Sequence, residues 1–385
     1  DPEALRLLAD DTELRPRPGS VLAEGMAAAA QRHDDPSAAV RAVRALRRRE
    51  LFRIAAADLL GLIDVRATGQ ALADVTDAVL GAALRVAMRS VWGEGPYPVR
   101  MAVIGMGRLG GVETSYPSDA DVLFVHEAAA RVSESDAAEA ARQVAEKLRA
   151  LLSAPAPDPP LGVDAGLRPE GRGGPLSRSL GAYEQYYRRW SGIWEAQALL
   201  RARFVCGDPE LGERLLELAD RYRYPDGLHE QQVTEIRRIK ARVEHERLPR
   251  GAHPSTHTKL GRGGLADIEW TVQLLQLRYG HQRPALRTPR TLDALDAASG
   301  AGLVAAPDAA ALAAGWLLAS RVRNAVMLVR GRPSDQVPRR GPELAGVARV
   351  LGWPAGGDPA EFVDDYLRTA RRARQVVERV FYGPA

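Results

Sequence analysis

The spacing of apolar residues predicts long helices over roughly the first 92 residues of the chain. Asp35 and Pro36 form a helix cap with proline in the first turn, and apolar positions then recur every three to four residues until Gly61. Residues 69–88 carry a second apolar stripe of the same period. This segment contains no recognisable chemistry, so we expect it to pack against the part of the chain that holds the functional site.

The apolar pattern changes after residue 93, where glycines and prolines mark a boundary. A strand-like run at residues 99–104 leads through a glycine turn and a polar loop into a second apolar run. A helical stripe at residues 133–152 and a short strand around Asp164 follow. A strand, a turn and a second strand, followed by a helix and a further strand, predict an α+β fold with a small mixed sheet.

Aromatic residues dominate the next periodic segment, residues 179–205, which we predict to be one long helix. Tyr183, Tyr187, Trp190 and Trp194 recur at three- to four-residue spacing. Such a stripe is typical of a helix face that packs in a hydrophobic core.

The remainder of the chain is predicted to be helical. Residues 222–250 alternate in charge, which is typical of an exposed helix. The segment HTKLGRGGLADIEW opens a helix that runs to about residue 280, and further helices are expected at residues 316–330 and 362–381. The whole pattern predicts three parts, listed by residue range: an N-terminal helical segment (1–93), a central α+β domain (94–205) and a C-terminal helical bundle (206–385).

The glycine turn after the first strand matches a dinucleotide-binding fingerprint in its spacing. Gly105, Gly107 and Gly110 form G-x-G-x-x-G, and Glu127 follows about 20 residues later. That fingerprint requires a crossover helix between two parallel strands, and the crossover takes at least ~10–12 residues. Because only residues 111–120 separate the fingerprint from the second apolar run, its length excludes this interpretation.

Asp119 and Asp121 stand two positions apart at the entrance to the second strand. Residues i and i+2 of a strand point to the same face, so the two carboxylates project together and repel each other unless a cation lies between them. Hard oxygen ligands of this kind suit Mg²⁺, and a glycine turn lets backbone N–H groups approach a phosphate. The segment therefore predicts a phosphate and metal site. The alternative is a polar loop that leads into an edge strand.

Several motifs resemble those of a known family. The run G-M-G-R-L-G-G-V-E followed by S-D-A-D-V-L-F is similar to the nucleotidyltransferase signature of glutamine synthetase adenylyltransferases, in the polymerase-β-like superfamily. V-D-A-G-L-R-P-E-G, W-E-A-Q-A-L-L-R-A-R and K-L-G-R-G-G-L-A-D-I-E-W resemble further motifs of that family, in the same order. The resemblance covers nearly the whole chain. It implies a polymerase-β-like nucleotidyltransferase core at residues 94–205, flanked by helices on both sides.

The resemblance also implies roles for individual residues. Asp119, Asp121 and Asp164 are expected to be catalytic and to hold Mg²⁺, with Asp164 accepting the proton of the attacking hydroxyl. Nucleotide and phosphate contacts are expected from Gly105, Gly107, Arg108, Gly110, Gly111, Ser118, Arg168, Arg201, Arg203, Lys259, Gly263 and Gly264. Residues expected to line the cleft are Glu195, Asp267 and Glu269.

Simpler structural interpretations of some of these residues stay open. Asp164 taken alone could be a solvated residue of an edge strand. Arg201 and Arg203 could belong to a solvated helix face. Asp267 and Glu269 lie in the first turn of a predicted helix, where acids interact favourably with the helix dipole.

The resembled family transfers AMP from ATP to a tyrosine hydroxyl of glutamine synthetase and so regulates nitrogen assimilation. ATP is then the substrate, Mg²⁺ the cofactor and glutamine synthetase the protein partner, with a PII signal protein as a further partner. We favour this direction because the closing helix at residues 362–381 is followed at once by the end of the chain. Three alternatives remain: the deadenylylating half of the same bifunctional enzyme, a nucleotidyltransferase acting on RNA or another signalling protein, and a regulatory module that binds nucleotide without catalysis.

Composition indicates which classes of partner and which cellular compartment to expect. The net charge is only +4 and no long basic run is present, so we expect no nucleic-acid partner. Cys206 is the only cysteine, which fits a reducing compartment. The sequence has neither a signal peptide at its start nor the ~18 consecutive apolar residues of a membrane span. These features predict a cytoplasmic protein without a membrane partner, and the missing initiator methionine indicates a fragment of a longer chain.

Overall fold

The computed structural model describes residues 6–354 and 356–383. Contacts between Cα atoms divide the chain into two compact units. The first comprises Asp1–Thr114 and Ser118–Tyr222, and the second comprises Ser115–Pro117 and Arg223–Ala385. This division groups the predicted N-terminal helices with the central domain. The three-part division of the chain stays a prediction.

The first unit begins with helices, as the apolar spacing predicts. They are α1 (Asp11–Leu14), α2 (Gly19–Gln31), α3 (Pro36–Leu59) and α4 (Val65–Trp92). The Asp35 side chain caps α3 by accepting the N–H of Ala38 at 2.7 Å, and Gly61 follows its end with a φ of +70°. The fourth helix starts earlier than predicted because Asp64 caps it by accepting the N–H of Ala67 at 2.8 Å.

A five-stranded mixed sheet follows these helices, which confirms the predicted α+β class. Its elements are β1 (Val99–Gly105), the one-turn helix α5 (Gly107–Gly110), β2 (Ala120–Ala128), α6 (Glu134–Ser153), β3 (Val163–Asp164), β4 (Ser177–Ser179) and β5 (Arg203–Gly207). The order is β3-β2-β1-β5, and β4 also pairs with β2. Strand β1 is antiparallel to β2 and β5, whereas β3 and β4 run parallel to β2. Because β1 and β2 are antiparallel neighbours, they form no βαβ unit, so the exclusion of a dinucleotide fold is confirmed.

The prediction of one helix over residues 179–205 is wrong. The segment forms α7 (Leu180–Trp190), α8 (Ile193–Leu199) and then β5. The Glu195 carboxylate accepts the N–H of Gly192 at 2.9 Å, and this contact starts a new helix after the break. The residues after α8 are β-prone and pair with β1, so tertiary pairing overrides the helical spacing.

The aromatic stripe divides at the same break. Tyr183 and Tyr187 are buried in the core, with ring centroids 5.9 Å apart. Trp190 and Trp194 are 65% and 41% exposed. Core packing is therefore confirmed for the two tyrosines and wrong for the two tryptophans.

Helix α9 (Pro209–Arg223) closes the first unit. Its residues Leu211 and Leu215 share one hydrophobic core with Ile104 of β1 and with Leu123 and Val125 of β2. The first unit therefore continues past residue 206, where the C-terminal bundle was predicted to start, because this amphipathic helix covers the sheet.

The second unit is built from helices. They are α10 (Glu230–Arg247), α11 (Leu265–Tyr279), α12 (Thr291–Gly300), α13 (Ala306–Arg330), α14 (Gly341–Val350) and α15 (Pro359–Val380). The predicted helix after HTKLGRGG is confirmed as α11, and the predicted closing helices correspond to α13 and α15. Helix α10 is less exposed than its charge pattern predicts, because Val233, Ile236 and Lys240 are buried.

Among the described residues, one helix is long and apolar enough to cross a membrane by length and composition, namely α13. Just over half of its most apolar window, 56%, is buried inside the protein. A core helix meets the same criterion, and α13 carries the buried polar residues Arg323 and Asn324.

Candidate functional site

Three carboxylates lie together at one end of the sheet of the first unit. In the parallel pairing of β2 with β3, Asp121 is the register partner of Asp164, and Asp119 directly precedes β2. The two strands are held in register where the N–H of Ala120 donates to the carbonyl of Gly162 at 2.8 Å. One oxygen from each of Asp119, Asp121 and Asp164 can be chosen so that all lie within 4.8 Å of one another. The structure therefore brings together the three acids that the sequence singles out, and we call them the carboxylate triad.

The glycine turn lies directly against this triad. Gly107 has a φ of +53°, and a Cβ added there would overlap the carboxylate oxygen Oδ2 of Asp121. The N–H of the preceding residue, Met106, donates to the carbonyl of Asp121 at 2.8 Å. Only a residue without a side chain allows this close approach, so Gly107 is required by the geometry of the triad.

The triad fits a divalent cation. Asp119 is exposed, while Asp121 and Asp164 are half-buried, so one side of the cluster faces solvent. Three hard oxygen donors this close repel each other, and a cation between them removes that repulsion. Mg²⁺ usually takes one or two protein carboxylates and fills its other positions with water and substrate phosphates. The donor set and its open side match that preference.

The other predicted glycines of the turn have packing roles that the structure makes visible. A Cβ on Gly110 would overlap the carbonyl of Arg201, and one on Gly105 would lie 2.9 Å from a methyl group of Val205. The N–H of Gly111 donates to the carbonyl of Gly107 at 3.1 Å within the one-turn helix. The close contacts explain why positions 105 and 110 are glycine, whereas the hydrogen bond of Gly111 would suit other residues. A contact of these glycines with a phosphate stays a prediction.

The two arginines of the W-E-x-Q motif are engaged in ion pairs. Arg201 is buried and donates to Glu113 at 2.7 Å, so the alternative of a solvated helix face is wrong for it. Arg203 donates to both carboxylate oxygens of Asp77, at 2.8 and 3.0 Å. Burial raises the pKa of Asp77 to about 6, even though the Arg203 hydrogen bonds act to lower it. Both arginines therefore join parts of the first unit, and a role in phosphate binding stays a prediction.

Four further predicted residues lie in the first unit, and three of them have hydrogen bonds to its backbone. Arg108 donates to the carbonyl of Glu113 at 3.4 Å, and Ser118 is half-buried directly before the triad. Arg168 donates to backbone carbonyls of the loop that follows β3. Glu195, predicted to line the cleft, is buried and starts α8 by accepting the N–H of Gly192.

The predicted anion site at the start of α11 belongs to the second unit. Gly263 has a φ of +71°, and a Cβ there would overlap the carbonyl of Ala370. Its N–H donates to Asp267 at 2.7 Å, and the N–H of Gly264 donates to the carbonyl of Gly261 at 2.9 Å. The exposed Lys259 lies at the start of this segment. These N–H groups already have acceptors in the protein, and the contact with Ala370 leaves no room for a side chain at Gly263. Anion binding by this segment stays a prediction.

Asp267 occupies a buried ion network. It is 1% exposed, pairs with Lys240 and accepts from Arg374 at 3.0 Å. Burial acts to raise its pKa, but the charge of Lys240 and the hydrogen bonds hold the pKa of Asp267 below its usual value. Glu269, two positions later, is half-buried. A simple solvated cap therefore does not describe Asp267, which anchors the start of α11 from within the core.

Sequence reasoning missed two residues that hold the site in place. Glu113 is the last residue of the glycine motif G-M-G-R-L-G-G-V-E. Its buried ion pair with Arg201 joins two positions that are far apart in the sequence. Arg149 lies on the polar side of α6 and donates to the carbonyl of Val163, next to Asp164, at 3.1 Å. No local pattern distinguishes Arg149 from other charged residues of an exposed helix face.

Comparison with known proteins gives two family matches. A model of the glutamate-ammonia ligase adenylyltransferase family matches residues 1–218, and a model of GlnD PII-uridylyltransferase matches residues 237–381. The first match lies within the first unit apart from Ser115–Pro117, and the second match lies within the second unit, while residues 219–236 fall between the two matches.

Curated relatives resemble this chain over nearly its whole length. Bifunctional glutamine synthetase adenylyltransferase/adenylyl-removing enzymes from Nocardia farcinica, Streptomyces coelicolor and Mycolicibacterium smegmatis are 56%, 54% and 55% identical to it over 99% of its residues. The chain spans 38%, 40% and 38% of the length of those relatives. Because the family model covers more than half of the chain, and the motifs around the carboxylate triad fall inside the match, this chain belongs to the glutamate-ammonia ligase adenylyltransferase family.

Proposed function

We propose that this chain is a Mg²⁺-dependent nucleotidyltransferase with a polymerase-β-like core, which transfers AMP from ATP to a tyrosine hydroxyl of glutamine synthetase. The observation that carries the proposal is the carboxylate triad, whose oxygens lie within 4.8 Å of one another beside a glycine turn. Membership of the adenylyltransferase family and the names of the relatives support the same activity.

The residues of the triad have distinct tasks in this proposal. Asp119, Asp121 and Asp164 would hold Mg²⁺, which when bound neutralises charge on the triphosphate and stabilises the attacking and leaving oxygens. The carboxylate of Asp164, held by the N–H of Gly166 on Oδ1 at 2.7 Å, takes the proton of the tyrosine hydroxyl. The chain then contributes positioning and electrostatics, and no covalent intermediate with the protein is required.

A second candidate is the reverse modification, since the relatives are named as both adenylyltransferase and adenylyl-removing enzymes. In that reaction phosphate attacks the phosphorus of the AMP–tyrosine linkage, the bond from phosphorus to the tyrosine oxygen breaks, that oxygen takes a proton, and ADP is the product. The same carboxylates serve either direction. The chain spans only about 38–40% of the relatives, so one of their two activities is expected to lie elsewhere in such proteins.

The direction is tested with two matched reactions. Unmodified glutamine synthetase, ATP labelled at the α-phosphate and Mg²⁺ should give labelled synthetase and pyrophosphate. Adenylylated synthetase with phosphate should give no ADP. ADP release without label transfer would replace our proposal by the second candidate. If neither reaction occurs, although ATP binds, the chain is a nucleotide-binding module without catalysis.

We also propose that the chain acts in the cytoplasm. A PII signal protein is proposed as a further partner there. The support is the match of residues 237–381 to a PII-uridylyltransferase model. Adding purified PII protein to the transfer reaction should change the initial rate. If the rate is unchanged and no complex forms in size-exclusion chromatography, this partner is wrong while the transfer activity stands.

A further inference from the structure

Strand β3, which carries Asp164, is short and supported by the sheet on one side only. It consists of Val163 and Asp164 and pairs with β2 through two register positions. A two-residue strand at a sheet edge gains few backbone hydrogen bonds, so its position depends on other contacts. Any displacement of β3 would move the carboxylate of Asp164 relative to the other two members of the triad.

Two arginine side chains bind the backbone on either side of Asp164. Nε of Arg149, on α6, donates to the carbonyl of Val163 at 3.1 Å. Nη1 of Arg168 donates to the carbonyl of Ala165 at 2.8 Å. The residue between these two carbonyls is Asp164, whose Oδ1 accepts the N–H of Gly166. The backbone of β3 thus has side-chain donors just before and just after the carboxylate.

Arg168 also closes the loop between β3 and β4. Its Nη2 donates to the carbonyls of Arg172 at 3.1 Å and Gly174 at 3.0 Å, and its Nε donates to the carbonyl of Pro175 at 3.1 Å. A guanidinium has five N–H groups in a planar fork, and these bonds occupy that fork from several directions. Four of the five N–H groups therefore have carbonyl acceptors near β3 or in the loop, and one N–H of Nη1 is left for another ligand.

The same loop has two further constraints. Glu170 is one of three non-glycine residues with positive φ among the described residues, at +62°, and it pairs with Arg178 of β4. A Cβ on Gly174 would overlap the carbonyl of Pro169, so these two parts of the loop are in close contact. Such a strained and tightly packed loop keeps one conformation only while its cross-links hold.

We propose that Arg149 and Arg168 are positioning residues, which fix the backbone on both sides of Asp164 and so hold its carboxylate in the triad. The inference rests on the proposed function, because it concerns the same carboxylate site. It gives Arg168 a role other than the expected contact with the nucleotide, and the experiment decides between the two roles.

The test uses the full chain and the variants Arg149→Ala, Arg168→Ala and Arg168→Lys, with Arg172→Ala as the matched control. Arg172 has an exposed side chain in the same loop, so the control removes a positive charge without removing a side-chain contact to the backbone near Asp164. Circular dichroism and thermal unfolding verify that each variant is folded. Arg168→Lys keeps the charge but cannot reach several carbonyls with one planar fork.

Two measurements made without nucleotide test whether Arg149 and Arg168 position Asp164. Amide hydrogen exchange of residues 163–176 in the metal-free protein should become about tenfold faster in the three arginine variants and stay unchanged in the control. Mn²⁺ binding, followed by electron paramagnetic resonance, should weaken about 10–100-fold in the same variants, as is usual when residues that orient metal ligands are removed.

Other results would overturn the proposal. Unchanged exchange and Mn²⁺ binding together with a higher KM for ATP would make Arg168 a phosphate ligand instead. Equal effects in Arg172→Ala would assign the result to net charge. Neither readout requires glutamine synthetase, so failure of the transfer reaction would count against the proposed function and leave these measurements to decide the roles of the two arginines.

Discussion

The carboxylate triad is held together by the fold against its own charge. Two unit charges about 4 Å apart repel by roughly 1–4 kcal/mol at the effective dielectric constants of protein surfaces. Asp121 and Asp164 nevertheless face each other in parallel register, and Asp119 precedes β2. Such an arrangement costs stability without a cation and favours its binding.

Asp121→Asn is therefore expected to abolish nucleotidyl transfer and to leave the fold intact. The substitution removes one of three like charges, so the metal-free variant should unfold at the same temperature as the unmodified chain or a higher one. Transfer assays and thermal unfolding in a chelator measure both effects. Asp34→Asn, at an exposed position, is the control and should keep full activity. Full activity in Asp121→Asn would contradict the metal site.

Gly107→Ala should damage the triad through sterics alone. The new Cβ would overlap Oδ2 of Asp121, and a left-handed φ costs a residue with a side chain about 1–2 kcal/mol. We expect weaker Mn²⁺ binding and a small loss of stability. Gly95→Ala is the matched control, because nothing lies within 4 Å of a Cβ at that position. Equal Mn²⁺ affinity in both variants would show that the turn does not shape the site.

Asp77 gives the first unit a pH dependence of defined sign. Burial raises its pKa from 3.8 to about 6. Between these values the folded chain keeps a proton that the unfolded chain has lost, so the free energy of unfolding falls as the pH rises. The fall is on the order of 2–3 kcal/mol between about pH 4 and pH 6.5. Urea denaturation at both pH values should show this slope in the unmodified chain and not in Asp77→Asn. A slope that persists in the variant would assign it to other groups.

The start of α11 shows how an acid in a helix's first turn can have a role other than capping. Asp267 is buried, pairs with Lys240 and Arg374, and accepts the N–H of Gly263. An exposed first-turn acid contributes only about 0.3–1 kcal/mol through the helix dipole. Removing one partner of a buried ion pair costs about 3–5 kcal/mol, because the remaining charges stay buried.

Asp267→Asn should accordingly destabilise the chain by several kcal/mol, whereas Glu361→Gln should cost less than about 1 kcal/mol. Glu361 is the matched control, since it lies in the first turn of α15 and is exposed. Chemical denaturation of the two variants compares them. Similar small losses would restore the simple capping role. A loss of transfer activity far beyond the loss of folded protein would instead support the predicted cleft role.

The break between α7 and α8 shows that helical periodicity in a sequence can continue across the end of a helix. Tyr183 and Tyr187 are buried, whereas Trp190 and Trp194 are exposed, although all four share one helical spacing. The chain turns at Gly192, where Glu195 accepts the backbone N–H. The apolar spacing does not reveal this break, and the pair Ser191-Gly192 does not predict it, because such a pair is also tolerated inside a helix.

The two units of the chain match different family models. Residues 1–218 match the adenylyltransferase model and residues 237–381 the uridylyltransferase model, while the contact boundary lies between Tyr222 and Arg223. Each unit has its own buried core. The carboxylate triad, the glycine turn and the arginines around Asp164 all belong to the first unit.

A fragment of residues 1–222 should therefore fold and bind Mn²⁺ with nearly the affinity of the full chain. Every residue proposed to hold or position the ion lies in this fragment, and α9 completes its core. Calorimetry and electron paramagnetic resonance measure folding and binding, and the Asp121→Asn fragment is the control. A fragment that unfolds cooperatively but does not bind Mn²⁺ would mean that the second unit contributes to the site.

Much of the first unit could be predicted because its signals are local. The cap at Asp35, the apolar run of β2 and the proximity of Asp119 to Asp121 depend on residues within a few positions of one another. The position of Asp164 beside them came only from a family resemblance, because a single acid in a two-residue strand carries no pattern. The partners of Arg201 and Arg203 were missed because both acids lie far away along the chain.

Sequence alone settled most of the helices, the two strands beside the glycine turn, the α+β class that they build, and that a dinucleotide crossover is too short to form. It missed the break at Gly192 and strand β5. The properties that it settled follow from caps, periodicity and loop lengths, which act over short distances along the chain. Only the tertiary structure placed Asp164 opposite Asp121, buried Asp267 among cations, and gave Arg168 its backbone acceptors. Such contacts depend on strand register and on packing between remote segments, and local preference carries no information about either.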